Sequence, residues 1–367
     1  MMHTNRNLAR ILTIAVFVIS VFGLIVLASA SVVLSQERYN ESFYFVRHQL
    51  MYGFAVGVVA YIVGMKLSLE WLKRIAPILL GAAIILLALV LLPGLGYTYG
   101  GANRWITIGP FSLQPSEPAK LAILVYLAAW LSQHQKELHR LRDGFMPFTV
   151  IVAVIGFLIL LQPDIGTLFV ITAASTLVFF FAGGRITHLA LFGVVALLVI
   201  GSYVALDEHR IQRVTTFLTP TADVQDSGYQ VRQSLIAIGA GGIGGKGYGD
   251  SQQKYSYLPE PMGDSIYAIM AEELGFVGAT LLIVVYLGIG YIGYQIIRHT
   301  TDTFSRLMAF GIVALLLIQA FVNIGVVTAS IPFTGITLPF ISYGSSSLIT
   351  FLAAAGLLTN VARKIES

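Results

Sequence analysis

Apolar runs of roughly 20 residues recur from one end of this sequence to the other. Each is long enough to cross the ~30 Å hydrocarbon core of a bilayer as a helix. This constrains the fold more than any other feature, because backbone in lipid must satisfy its own hydrogen bonds, and only helices and closed barrels do so. No strand-period alternation points to a barrel. Charged residues make up 11% of the 367, less than half of the roughly 25% usual in soluble domains. The expected fold class is an all-α polytopic membrane protein. The chain has no cysteine, which excludes disulfides, thiol catalysis and thiolate metal sites. The first apolar run is too long for a signal-peptide core and reads as an uncleaved span.

About ten transmembrane helices are expected, at roughly 11–34, 46–65, 75–94, 117–133, 146–162, 166–183, 186–206, 265–297, 307–329 and 345–362. Short connections rich in Lys and Arg belong on the cytoplasmic side. Arg6, Arg10, Lys66, Lys73, Arg74, Lys136, Arg140, Arg142, Arg185, Arg298, Arg306, Arg363 and Lys364 all fall on one side if both termini are cytoplasmic. One long extracytoplasmic loop, 207–264, then joins spans seven and eight. The net charge of +4 reflects this cytoplasmic bias rather than nucleic-acid binding. No internal repeat or linker divides the chain, so a single domain over 1–367 is expected. The eighth segment is too long for one straight crossing, and Gly275 divides it. Ahead of that glycine, Ile266, Ile269, Met270 and Leu274 share a helical face, with Glu272 and Glu273 off it.

The polar residues gather in the outer connections. Arg104 beside Trp105 suits an interfacial anchor or a substrate contact. Glu117 and Lys120, three apart, share a face at the outer end of span four: an intrahelical ion pair or a functional site. Asp164, in the short 162–167 connection, suits a helix N-cap or a substrate contact. Arg210 and Arg213 share a helical spacing that suits phosphate oxygens, or belong to a solvated basic loop. Lys246 sits in a run with seven glycines over 239–249. No βαβ unit surrounds that run and its order is not a Walker A loop; an anion nest or a turn between two helices remains. Asp264 precedes an amphipathic helix and could cap it. The stretch 332–347 is too rich in Pro, Gly and Ser for a span interior and reads as a re-entrant or surface loop. Its Tyr343 and Ser345 to Ser347 could bond sugar or phosphate, or cap the last span. The seven histidines are scattered, so no zinc site is indicated. The middles of the spans hold no Asp, Glu, Lys or Arg, whereas coupled transporters keep such groups near the midplane. That favours an enzyme acting at the outer surface on a lipid-linked or extracytoplasmic substrate.

At these residues the chain resembles the SEDS family (shape, elongation, division and sporulation proteins, RodA and FtsW among them). The resemblance runs over roughly 10–365. It rests on FVRHQ at 45–49, GANRW at 101–105, QPSEPAK at 114–120 and QPDIGT at 162–167. The block 228–254, LPEP…D…AEELG at 258–275 and LPFISYGSSS at 338–347 complete it. The wording SQQKYSYLPEP is more similar to FtsW than to RodA. Two positions depart from the family pattern: Met262-Gly263 replaces a His-Thr or His-Asn pair, and Ser345 replaces a glycine.

The resemblance implies a peptidoglycan glycosyltransferase that polymerises lipid II at the outer face of the cytoplasmic (inner) membrane, in division or elongation. Its implied partners are a class B penicillin-binding protein and other divisome or elongasome membrane proteins. Asp264 matches the family's catalytic acid. Arg104, Arg210, Arg213 and Lys246 become candidate donor contacts. Glu117, Lys120, Asp164, Tyr343 and Ser346 become binding or structural positions around the cavity. A divalent cation, Mg or Mn, at the pyrophosphate is compatible with this chemistry, although the sequence shows no defined site. A lipid II flippase and a divisome scaffold are the competing functions. The first would need a polar path through the spans.

Overall fold

A computed structural model describes residues 7–92, 96–99, 102–109, 111–206, 211, 227–255 and 257–366. The apolar runs fold as helices α1 (Leu8–Tyr39), α2 (Tyr44–Lys66), α3 (Leu69–Leu89), α4 (Ser116–Gln133), α5 (Leu141–Leu160), α6 (Ile165–Phe181) and α7 (Ile186–Ala205). After α8 (Ser227–Gly241) come α9 (Ile266–His299), α10 (Thr303–Val327) and α11 (Ser345–Glu366). Among the described residues, eight helices are long and apolar enough to cross a membrane. The other two of the ten expected spans are α4 and α6. The first carries Glu117 and Lys120 in its opening turns, which dilutes its hydropathy. The second has 17 residues, about 25 Å of helix, slightly under the ~30 Å core.

Between α3 and α4 lies a small antiparallel sheet that the sequence pattern does not announce. Its strands β1 (Gly96–Tyr99), β2 (Ala102–Ile108) and β3 (Phe111–Leu113) are ordered β1-β2-β3, with Ile106 opposite Leu113. The all-α expectation therefore holds for the membrane part and not for this connection.

Packing follows the rules of a lipid solvent, where small residues let helices approach and buried polar groups join them. On α2 and α11, a Cβ at Gly64 would lie 2.9 Å from the Ala353 carbonyl oxygen, and one at Gly356 would collide with the Tyr61 backbone. Asn360 on α11 donates to the carbonyls of Gly64 (2.9 Å) and Leu67 (2.6 Å) at the end of α2. Helices α10 and α11 are buried along most of their length. By contrast α7 buries only His188, Leu189 and Phe192, the least of the eight candidate spans.

The 328–344 connection enters the bundle without helical backbone, as its composition predicts. Ile336, Leu338, Phe340 and Ile341 are buried. Non-helical backbone at depth must be bonded by the protein around it, and here it is. Gln319 donates to the Thr337 carbonyl (3.0 Å), Asn323 to that of Ile336 (2.7 Å), and the Tyr286 hydroxyl to that of Pro339 (2.5 Å).

Helix α9 breaks where the sequence places the break. Gly275 has φ 66° and ψ −169°, a conformation that favours glycine. The glycine-rich run joins the two halves. Amides of Lys246 and Gly247 donate to the carbonyls of Glu272 and Glu273, both at 3.0 Å. On the other side, amides of Phe276 and Val277 donate to the carbonyls of Gly242 (2.9 Å) and Ile243 (3.2 Å). The run is thus a turn after α8 that completes the broken ladder of α9. The Lys246 and Gly247 amides an anion nest would use are spent on that ladder.

Candidate active site

Asp264 lies one residue before the N-cap of α9. The helix starts at Ile266 with Ser265 as N-cap and no side-chain capping bond, so the acid does not cap it. Its Oδ1 instead accepts a 3.0 Å hydrogen bond from Gln230 Nε2 on α8, which also donates to Ser265 Oγ at 2.8 Å. Three successive carbonyls hold the turn. Met262 O accepts from the Tyr343 amide (2.8 Å), Gly263 O from Ser342 Oγ (2.6 Å), and Asp264 O from Asn323 Nδ2 (2.8 Å). The donors come from α10 and the re-entrant 328–344 segment, so the acid sits on a rigid base. Burial, with the neighbouring Glu260 carboxylate adding to it, pushes the Asp264 carboxyl up to about 7; the Gln230 bond opposes this by favouring the charged form.

One helical turn from Asn323 on α10, Gln319 reaches the second cluster. Lys120 Nζ donates to Glu117 Oε1 (2.8 Å) and to Gln319 Oε1 (2.6 Å), and lies 5.4 Å from the Phe351 ring centroid. Both charged residues are buried, so the pair expected from spacing is a buried one. Glu117 Oε2 and Asn323 Oδ1 are buried without a partner among the described residues. The first is on α4, tied through Lys120 to Gln319, and the second is on α10, one helical turn from Gln319.

The remaining predicted residues fall elsewhere. Asp164 caps α6, accepting from the Thr167 amide at 3.0 Å. Arg104 Nε donates to the Gln162 carbonyl at 2.8 Å, and its second amino group bonds the Pro163 carbonyl. It ties β2 to the turn before α6. Ser346 Oγ accepts from the Gln114 amide (3.0 Å) and donates to the Ser112 carbonyl (2.9 Å), pinning the end of the sheet to α11. The Tyr343 hydroxyl meets His48 Nδ1 at 3.1 Å. Lys246 pairs with Glu272 at 2.7 Å, eight residues beyond Asp264. Arg210 and Arg213 lie outside the described residues.

Several functional-looking residues escape a reading by pattern. Glu272 and Glu273, assigned to the polar side of the amphipathic piece, are buried. Glu272 accepts from Lys246, Ser251 Oγ (2.5 Å) and the amides of Gln252 (3.1 Å) and Gln253 (3.2 Å). Glu273 accepts from Ser29 Oγ (2.5 Å) and pairs with buried Lys254 (3.3 Å). Gln230, Gln319 and Asn323 carry no charge that would mark them in the sequence. Two amides four apart in an otherwise apolar span were the available signal. Among the described residues no group of three or more His, Asp or Glu side chains gathers that could hold a metal.

The profile of the FtsW/RodA/SpoVE family, described as cell cycle proteins, matches residues 9–367. The chain belongs to this SEDS family. It is 41% identical to stage V sporulation protein E of Bacillus subtilis, over 96% of each chain. It is 39% identical to a protein of Geobacter metallireducens named a probable peptidoglycan glycosyltransferase FtsW, over 94% of this chain and 92% of that one. Among solved structures, one chain of a peptidoglycan synthase complex superposes with a TM-score of 0.80 at 29% identity, covering 96% and 97% of the two chains. The rod shape determining protein RodA of Thermus thermophilus superposes at 0.70, with 28% identity and 96% coverage of both. This SEDS chain is therefore a multi-pass membrane protein with a RodA-like fold.

Proposed function

We infer that this protein is a peptidoglycan glycosyltransferase that polymerises lipid II, with Asp264 as general base. The observation that carries the reading is the state of that acid: fixed through three carbonyls, oriented by Gln230, and raised to about 7. A general base works best with a pKa near the operating pH, and a cap or surface carboxylate has no need of one. The acceptor sugar hydroxyl gives its proton to Asp264 as its oxygen attacks the anomeric carbon. The bond to the polyprenyl pyrophosphate breaks with inversion, and positive charge on the leaving group lowers the barrier. Arg210 and Arg213, in the connection between α7 and α8, are the proposed pyrophosphate contacts. Glu117 and Lys120 hold Gln319, and through α10 the floor of the site. The full-length likeness to proteins named as glycosyltransferases supports the same chemistry.

The Lys and Arg distribution supports ten crossings with both termini cytoplasmic and Asp264 at the outer face of the cytoplasmic membrane. The likeness to a chain of a peptidoglycan synthase complex supports a class B penicillin-binding partner. The test is lipid II polymerisation by the purified protein with its cognate partner, for the native chain and for Asp264→Asn. Polymer is expected from the native chain and none from a variant that folds and binds the partner normally. Equal polymer from both would remove Asp264 from the chemistry. Lipid II crossing liposomes without polymer would replace the enzyme by a flippase.

A further inference from the structure

On the far side of α10 from Gln319 and Lys120, an apolar groove of about 620 Å³ opens between α6, α9 and α10. Phe181 and Phe310, stacked 4.1 Å apart, form part of its wall, and Leu317 and Ile318 its deep end. The charged groups that line it are Arg298, in the last turn of α9, and Arg306, in the first turn of α10. From Arg306 to Ile318 is about 18 Å along the helix, close to half of the ~30 Å hydrocarbon core. The groove thus has the depth of one leaflet, with both cations at its mouth.

Among the described residues neither arginine has an ion-pair partner, and Arg306 Nε is buried with no hydrogen bond. The carboxylate between them in the chain, Asp302, is already committed. It caps α10, accepting from the Ser305 amide (2.9 Å) and hydroxyl (2.6 Å), and it faces Lys73 and Lys364. An arginine at the end of a span ordinarily extends its charge into water, and exposed Arg298 alone would fit that account. A buried, unbonded Nε on its neighbour does not.

We propose that this groove is a binding site for an anionic phospholipid of the leaflet at the α9–α10 turn, its phosphates on Arg298 and Arg306 and an acyl chain against Phe310 and Leu317. Basic pockets between membrane helices select multiply charged headgroups, and guanidinium matches phosphate in charge and geometry. A diphosphate headgroup engages both arginines at once. A zwitterionic lipid brings an ammonium that the two cations repel.

The test is native mass spectrometry of the full chain released from nanodiscs of equal parts tetraoleoyl cardiolipin and dioleoyl phosphatidylcholine. The native protein is expected to retain cardiolipin over phosphatidylcholine. Arg298→Gln/Arg306→Gln is expected to lower cardiolipin affinity by about 30-fold, from the contribution of two basic groups at a membrane surface. Arg140→Gln/Arg142→Gln removes the same charge from another connection and is expected to change it less than about twofold. Ala314→Trp, which fills the groove and leaves both arginines, is expected to displace the lipid while the thermal transition stays near native. Equal loss in the two arginine doubles would reduce the effect to general surface charge. Equal retention of both lipids by the native protein, or full retention by Arg298→Gln/Arg306→Gln, would overturn the proposal and leave the groove to a partner's membrane helix.

Discussion

The Gln230–Asp264 bond makes the pH dependence of polymerisation calculable. With Asp264 at about 7, roughly a tenth of the base is ionised at pH 6 and roughly nine-tenths at pH 8, so the native rate rises about tenfold between them. A carboxylate at its ordinary value would leave the rate flat over this range. Gln230 donates to the carboxylate and stabilises its charged form. Gln230→Leu removes a bond to a charged acceptor worth about 1.5 kcal/mol, which is about one pKa unit. The removal raises the pKa further. At pH 7 the ionised fraction falls from about a half to about a tenth, a fivefold loss of rate, and by pH 9 the two enzymes converge. Initial rates of glycan formation from pH 5.5 to 9 measure this directly. A native profile flat over pH 6–8 would refute the assignment of the base. A Gln230→Leu profile that is lower at every pH but not displaced would make Gln230 a packing residue. The same acid has a stability signature. A raised carboxyl pKa means that the folded state binds the proton more tightly, so folding loses free energy as pH rises from about 4 to about 7. Asp264→Asn cannot ionise and should gain thermal stability over the native chain across that window.

The other clusters yield direct stability tests. Lys120→Met strands the buried Glu117 carboxylate and should cost about 3–5 kcal/mol in thermal unfolding in detergent, whereas Glu117→Gln/Lys120→Met should recover most of it. A single variant as stable as the double would mean that water reaches Glu117. Glu272→Leu leaves the Gln252 and Gln253 amides and Ser251 without their acceptor and should lower the unfolding temperature far more than Glu70→Leu, at an exposed position near the start of α3; equal shifts would remove the cluster from the fold. In Gly275→Ala the new Cβ falls on the Gly245 amide at a φ that suits only glycine, so folded protein should fall sharply on size-exclusion chromatography. Gly239→Ala, where the Cβ meets open space, should behave as native.

Much of the fold was legible because the bilayer imposes local rules. The apolar runs became helices at nearly the expected places. Gly275 marked the break in α9, the spacing of Glu117 and Lys120 predicted their pair, and Asp164 caps α6. What stayed hidden is non-local. Glu272 and Glu273 look like the wet side of a surface helix until Lys246 and Lys254, about twenty residues upstream, arrive beside them. Arg104 reads as an interfacial anchor or a substrate contact, and its partners are carbonyls 58 and 59 residues away. The sheet at 96–113 depends on strands too short to alternate visibly. Asp264 resembled a cap because its true partners, Gln230 and Asn323, sit 34 and 59 residues distant. They are uncharged amides, one in a stretch that reads as loop and folds as α8, the other in an apolar span.

The joint in α9 bears on how this protein can vary. Residues 242–247 have the composition of a surface loop, the kind of segment that usually accepts insertions and deletions. Here each residue count matters, because the amides and carbonyls at 242, 243, 246 and 247 are matched one for one to those at 276, 277, 272 and 273. A single added residue would shift that register and re-aim the N-terminal half of α9, which begins two residues after Asp264. In a scan of one-residue insertions the run should therefore prove as intolerant as a packed helix interface, and length changes there should abolish polymerisation before they abolish membrane insertion.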